Sequence, residues 1–92
     1  MLSKNDVLQL AFNFNVVEEG IELIKSLSED EMDPFFIYRE AYKIPELKEK
    51  MRINSFVIDN PYINPNLPPE QAFNSMMKGT MVRLLKSLSN NE

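Results

Sequence analysis

The sequence predicts an all-α protein of four to five helices. Apolar residues recur three or four positions apart through most of the chain, which is the spacing of amphipathic helices. No segment combines the alternating pattern of a strand with a partner to pair with. Residues 53–69 are rich in proline and asparagine and predict an irregular strap before a long C-terminal amphipathic helix. The 92 residues, 43% of them hydrophobic, are expected to form one small domain over 1–92.

The first part of the chain predicts two helices, over about residues 4–13 and 16–28. Asn13 and Asn15 interrupt the apolar spacing between them. Asn15 and Glu18 have the separation of a capping box, so we expect the Asn15 side chain to cap the second helix. Phe12 and Phe14 flank the bend, where we expect aromatic bulk to pack one helix against its neighbour.

An acidic run, which we define as Glu29, Asp30 and Glu31, stands shortly before Asp33 and Pro34. A calcium loop of the EF-hand type needs a central glycine, and the run does not provide one. We interpret this segment as the start of a helix, with the aspartate at the N-cap and the proline at the first helical position. The carboxylates interact favourably with the positive end of the helix dipole.

The helix that follows, over about residues 34–43, is apolar on more than one face, so it is expected to be central or to bind a partner. Phe35 and Tyr38 are its candidate binding residues. Pro45 ends this helix and begins a short new one. In that short helix Leu47 and Met51 are expected to face inward.

The final helix is predicted from Pro69 to about Ser89, and its apolar positions form what we call the C-terminal stripe. Such a stripe is either the protein's own core or a surface for a partner, and its spacing fits both. Methionine, which is frequent in it, adapts to irregular partner surfaces. The candidate binding residues of the C-terminal stripe are Phe73, Met77, Met81, Leu84, Leu85 and Leu88.

The strap is either a packed connection or an exposed binding element. Loops longer than about 12 residues are uncommon in compact domains and are often functional. Tyr62, Ile63 and Leu67 lie among its turn-forming residues and need cover from water. We therefore favour a packed connection.

Histidine and cysteine are both absent, which excludes histidine triads, His/Cys zinc sites and thiol nucleophiles. We predict no catalytic residue, metal or cofactor, and no enzyme activity. A weaker hypothesis is a metal protein or enzyme that uses Glu18, Glu19, Glu22 and the acidic run. No apolar run reaches the roughly 18 residues of a membrane span, and the N-terminus lacks the features of a signal peptide. The expected location is the cytoplasm.

The charge is distributed unevenly within a net charge of −4. Residues 1–46 hold ten acidic and four basic side chains, whereas residues 47–92 hold four acidic and six basic ones. We expect a noncatalytic protein-binding regulator, inhibitor or assembly factor, whose acidic half is attracted to a partner with a basic or apolar groove. A second copy of the chain is the other partner considered. In size and composition the chain is similar to virus-encoded inhibitors and coactivators.

The alternative hypothesis is a small helix-turn-helix-like protein that binds nucleic acid or regulates transcription. In it the bend near Asn13 forms the turn, and five cations contact phosphates. A net negative charge disfavours this hypothesis, because neutralisation of phosphates supplies most of the affinity for nucleic acids. The five cations are Lys48, Lys50, Arg52, Arg83 and Lys86.

Overall fold

The computed structural model describes residues 2–54 and 66–90, and these form an all-α fold as predicted. The described residues contain five α-helices, and a short 3-10 helix, Glu29–Glu31, connects the second to the third. The prediction for the strap falls largely on residues 55–65, which lie outside the described residues. The α-helices are α1 (Lys4–Asn13), α2 (Glu18–Ser26), α3 (Pro34–Ala41), α4 (Pro45–Asn54) and α5 (Pro69–Ser87).

Helix α5 is the longest of the described helices, with 19 residues. It contacts α1, α3 and α4, while α2 packs against α1, α3 and α4. The apolar face of α5 meets those of the shorter helices in a single core, as expected for a small domain. The fully buried side chains of this core include Val7, Ile24, Ile37, Leu47, Met81, Leu84, Leu85 and Leu88.

Side-chain caps fix the beginnings of α1 and α3. The Asp6 amide donates to Ser3 Oγ at 3.1 Å and the Ser3 amide donates to Asp6 Oδ2 at 3.3 Å, a reciprocal capping box. At α3, the Phe35 amide donates to Asp33 Oδ1 at 2.8 Å, and Pro34 occupies the first helical position. The predicted cap of α3 is therefore confirmed.

The turn between α1 and α2 differs from the prediction. Asn15 has φ 53°, a left-handed conformation that asparagine tolerates better than most residues. Its backbone carbonyl accepts from the Asn90 amide at 2.9 Å. The predicted capping box of Asn15 and Glu18 is wrong, because the N-cap of α2 is Val17, which makes no side-chain cap hydrogen bond.

The same turn is joined to the end of α5 by a clasp, which we define as the backbone contacts between residues 15–17 and 88–90. Val16 and Ser89 form an isolated antiparallel bridge. The Val17 amide donates to the Leu88 carbonyl at 3.1 Å. The clasp thus gives hydrogen-bond partners to backbone groups that a helix end would otherwise leave unpaired.

The expected aromatic packing at the bend is correct for one residue only. Phe14 is half-buried and packs against the core, and the Lys86 ammonium lies 5.9 Å from its ring centroid. Phe12 is 60% exposed, so its predicted packing role is wrong. Phe12 lies near the end of α1, whose core side is formed by Val7 and Ala11.

Helix α4 begins at Pro45 and buries Leu47 and Met51, as predicted. The connection from α3 is tight, since the Ile44 amide donates to the Ala41 carbonyl at 3.0 Å. Among the described helices, none combines the length and apolar character that crossing a membrane requires.

Candidate protein-binding surface

The C-terminal stripe is mainly core. Leu84, Leu85, Leu88 and Met81 are fully buried and Met77 is nearly so. Of the two interpretations that the spacing allowed, the protein's own core accounts for these five residues, and they are not accessible to a partner in this conformation. Phe73, at 49% exposure, is the member of the predicted set that lies at the surface.

Helix α3 presents a second apolar face to solvent. One side of this eight-residue helix is buried through Pro34, Ile37 and Ala41. A different side carries the aromatic stripe, which we define as Phe35, Tyr38 and Tyr42. Their spacing of three and four places them in one row along the helix. Phe35 is 46% and Tyr42 is 40% exposed, and Tyr38 is half-buried.

The rings of the aromatic stripe are organised. Tyr38 and Tyr42 pack with their centroids 5.7 Å apart and their planes tilted by 33°, within the range of favourable aromatic pairs. The Lys48 ammonium, from α4, lies 5.4 Å from the Tyr42 centroid. On the neighbouring side of α3, the Arg39 guanidinium lies 5.7 Å from the Phe36 centroid. The C-terminal end of the stripe therefore carries cations.

The acidic run forms a hydrogen-bonded turn before the N-terminal end of α3. Glu31 Oε1 accepts from the Ser28 amide at 2.8 Å and from its hydroxyl at 3.0 Å. These bonds, the backbone one first, hold the pKa of Glu31 below its ordinary value of 4.5. The Lys4 amide donates to Glu29 Oε2 at 2.8 Å, which ties the run to the start of α1. Asp30 is exposed and forms no ion pair within residues 2–54 and 66–90.

The predicted binding residues of this region therefore come together. The acidic run ends two residues before Asp33, the N-cap of α3, and Phe35 lies in the first turn of that helix. Negative charge stands at the N-terminal end of the aromatic stripe. Sequence reasoning did not count Tyr42 among the candidate binding residues, although it lies seven residues after Phe35 on the same helical face. It also missed the capping box of Ser28 and Glu31, which the Ser-x-x-Glu spacing signals.

The surface of α2 is unfavourable for nucleic acid. Its exposed face carries Glu18, Glu19 and Glu22, and the neighbouring Lys25 lies 3.8 Å from Glu22. In the helix-turn-helix hypothesis α2 follows the turn and would enter the major groove, where these carboxylates would meet phosphates. Arg52, one of the five proposed phosphate contacts, is paired with Glu49 at 2.6 Å.

Two observations on the described residues bear on a metal or small-molecule site. In residues 2–54 and 66–90, no group of three or more acidic side chains is placed to hold a metal ion. A cleft of about 220 Å³ between α1 and α5 is smaller than most ligand pockets. Its lining residues are Leu2, Asp6, Gln9, Leu10 and Lys78.

No protein-family model matches the chain, and neither a curated protein nor a solved structure shows significant similarity to it.

Proposed function

We propose that this protein is a noncatalytic protein-binding regulator, inhibitor or assembly factor. Its partner covers the aromatic stripe of α3, and the acidic run draws the partner's basic surface toward it. The observation that supports this most strongly is the row of Phe35, Tyr38 and Tyr42 on a helix whose other side is core. Cysteine is absent, which fits a reducing compartment, and we propose the cytoplasm as the location.

Aromatic side chains of this kind are suited to be binding anchors. Tyrosine is among the residues that contribute most when an interface is scanned with alanine, and large rings bury much area with few rotatable bonds. The Tyr38–Tyr42 contact limits the motion of both rings before a partner arrives. Little conformational entropy is then lost on binding.

The charges beside the stripe favour encounter with a basic partner. Glu29 and Glu31 are fixed by hydrogen bonds, so their charges occupy defined positions at the end of α3. Complementary charges at the edge of an interface mainly raise the association rate. This contribution decreases with ionic strength, because the screening length is about 8 Å at physiological salt.

Affinity capture from native lysate tests the proposal, with wild type compared to Phe35→Ser and Tyr42→Ser. We expect wild type to retain a specific protein and both variants to lose at least about tenfold of it, since an anchor contributes roughly 2 kcal/mol. Phe12→Ser is the matched control, because Phe12 is also an exposed phenylalanine but lies on α1 and not on α3. It should capture as much as wild type.

Helical content measured by circular dichroism verifies that each variant is folded. If the three folded variants bind the captured protein equally well, the aromatic stripe is not the binding surface. Capture of nucleic acid alone would reject the proposed function.

A further inference from the structure

The two ends of the aromatic stripe carry opposite charges, so two copies of the stripe complement each other when they run in opposite directions. We propose that two copies of the chain pair through it, with their α3 helices antiparallel across a two-fold axis. This inference concerns regulation of the surface assigned above and rests on that proposed function: in the dimer, each copy covers the site that the partner would use.

Charge at the two ends of the stripe supports a second copy as the occupant. The N-terminal end carries Asp30, exposed and without an ion pair in the described parts of the chain, next to Glu29. The C-terminal end carries Lys48, whose ammonium contacts the Tyr42 ring and forms no ion pair with any described residue. Arg39 adds a second cation toward that end. One end is negative and the other positive.

An antiparallel arrangement satisfies both ends at once. Eight helical residues span about 12 Å, so rotation about an axis near Tyr38 brings the acidic run of one copy to Lys48 of the other. The symmetry repeats this pair, as in any isologous interface. Phe35 of each copy then meets Tyr42 of the other. A parallel pairing would instead place like charges together, which is unfavourable.

A uniformly basic partner would complement only one end of the stripe. It would match the acidic run but would meet Lys48 and Arg39 at the other end. The second copy is the occupant that complements both ends. A heterologous partner must therefore be basic on one side only, or must bury enough apolar surface to outweigh the repulsion from Lys48 and Arg39.

The dimer is expected to be weak. A standard stable interface buries about 800 Å² on each partner, and three partly covered aromatic side chains on a short helix expose much less. Two buried rings on each copy and two ion pairs correspond to a dissociation constant nearer 1 mM than 1 μM. A partner with a larger surface would displace the second copy, so self-association would limit access to the site only at chain concentrations near that dissociation constant.

Sedimentation equilibrium of the purified chain, from about 10 μM to about 1 mM, tests this pairing. The variants are Asp30→Lys and Lys48→Glu. In a dimer of either variant, residues 30 and 48 of opposite copies carry the same charge at both symmetry-related contacts. We therefore expect self-association to fall at least about tenfold. An equimolar mixture of the two restores opposite charges at both positions, and we expect it to associate as wild type does.

Two control variants make the same charge changes elsewhere. Glu70→Lys and Lys78→Glu both alter exposed positions on α5 and should leave the dimer unchanged. Phe35→Ser should weaken the dimer, whereas Phe12→Ser should not. Circular dichroism identifies any variant that has lost its fold.

Wild type that stays monomeric at 1 mM overturns the inference. So does a dimer that ignores both charge reversals, or a mixture that fails to recover association. These results are independent of partner capture: a monomer that still captures its partner through Phe35 leaves the proposed function intact. A charge-dependent dimer without any captured protein would reject only the proposed function.

Discussion

At the scale of single residues, Gly20 shows how the turn before α2 constrains the helix. A Cβ at this position would lie 2.6 Å from Val16 Cγ1 and 3.7 Å from Leu88 Cδ1. Val16 has little freedom to move, because its side chain is short and β-branched and its backbone bridges Ser89. Glycine is therefore required here for close approach within the clasp.

We predict that Gly20→Ala destabilises the protein by about 1–3 kcal/mol, the usual cost of overpacking. This net loss is expected even though alanine is favoured over glycine in a helix by about 1 kcal/mol. Urea unfolding followed by circular dichroism measures the change. In the background Val16→Ala the clash is removed, and Gly20→Ala should then be neutral or stabilising. If Gly20→Ala alone stabilised the protein, the Val16 side chain would be able to move away from the added methyl group at little cost.

The carboxylate of Glu31 makes the stability of the protein depend on pH. Folding lowers its pKa from 4.5, so its ionised form contributes stability above that pH, and the contribution is lost as the pH falls through the folded-state pKa. Ser28→Ala removes the hydroxyl but keeps the backbone amide, the larger cause of the shift. We expect the pKa of Glu31 in this variant to rise part of the way toward 4.5.

Carboxyl chemical shifts in an NMR pH titration measure this value. Glu49 serves as the internal reference. It lies on α4, where the hydrogen bond from Arg52 of the same helix lowers its pKa, so its pKa should not change in the Ser28→Ala variant. A complete return of Glu31 to 4.5 would mean that the hydroxyl, and not the amide, causes the shift.

At the scale of elements, α5 and α3 differ in where they place their apolar side chains. Helix α5 buries most of its apolar residues in the core, while α3 buries one side and leaves the aromatic stripe at the surface. The same kind of apolar spacing therefore serves stability in one helix and is proposed to serve binding in the other. Substitutions in the core of α5 should accordingly lower the free energy of unfolding, whereas substitutions in the aromatic stripe of α3 should weaken partner binding.

Two substitutions in α5 separate its core from its surface. Leu84→Ala removes a fully buried side chain and should cost about 2–5 kcal/mol of the free energy of unfolding. Phe73→Ala truncates a side chain that is 49% exposed and should cost at least about 1 kcal/mol less. Denaturant unfolding of both variants tests the ordering. Equal losses would place Phe73 in the core with Leu84.

The helices could be predicted from sequence because their signals are local. Apolar spacing, Pro34 and Pro45 at helix starts and the Asp33 cap each act within one turn of chain. The turn at Asn15 could not be predicted in the same way, since its conformation is completed by Ser89 and Asn90. Nothing near Asn15 in the sequence indicates that distant contact.

The candidate site was predictable to a similar extent. Phe35, Tyr38 and the acidic run are neighbours in sequence, and one helix start brings them together. Lys48 joins them from α4, across a tertiary contact with Tyr42 that local spacing does not reveal. The C-terminal stripe could not be divided into core and surface from its period, because both environments select the same apolar spacing.

At the scale of the whole molecule, the charge is unevenly distributed and negative overall. The acidic side chains outnumber the basic ones, 14 to 10, and α2 exposes three glutamates. The field around this surface repels phosphates and attracts cations. This charge is the reason that we propose a protein partner with basic edges and not a nucleic acid.

We predict that the protein does not shift duplex DNA in a gel, even at about 50 mM salt, where phosphate contacts are strong. The variant Glu18→Lys, Glu19→Lys, Glu22→Lys converts the exposed face of α2 to positive charge. If that variant binds weakly and nonspecifically while wild type does not, the glutamates account for the exclusion. Binding by wild type that falls steeply with salt would instead support the nucleic-acid hypothesis.

The clasp also determines the order in which the molecule can fold. Val17 and Leu88 are far apart in the sequence, and contacts between distant positions form late because closing a long loop costs entropy. Helices α1 and α2 can form early, but the turn that joins them becomes native only when the end of α5 arrives. Exchange of the Val17 amide with solvent therefore reports release of that distant segment. The turn between α1 and α2 is thus completed by residues 88–90, at the other end of the described chain.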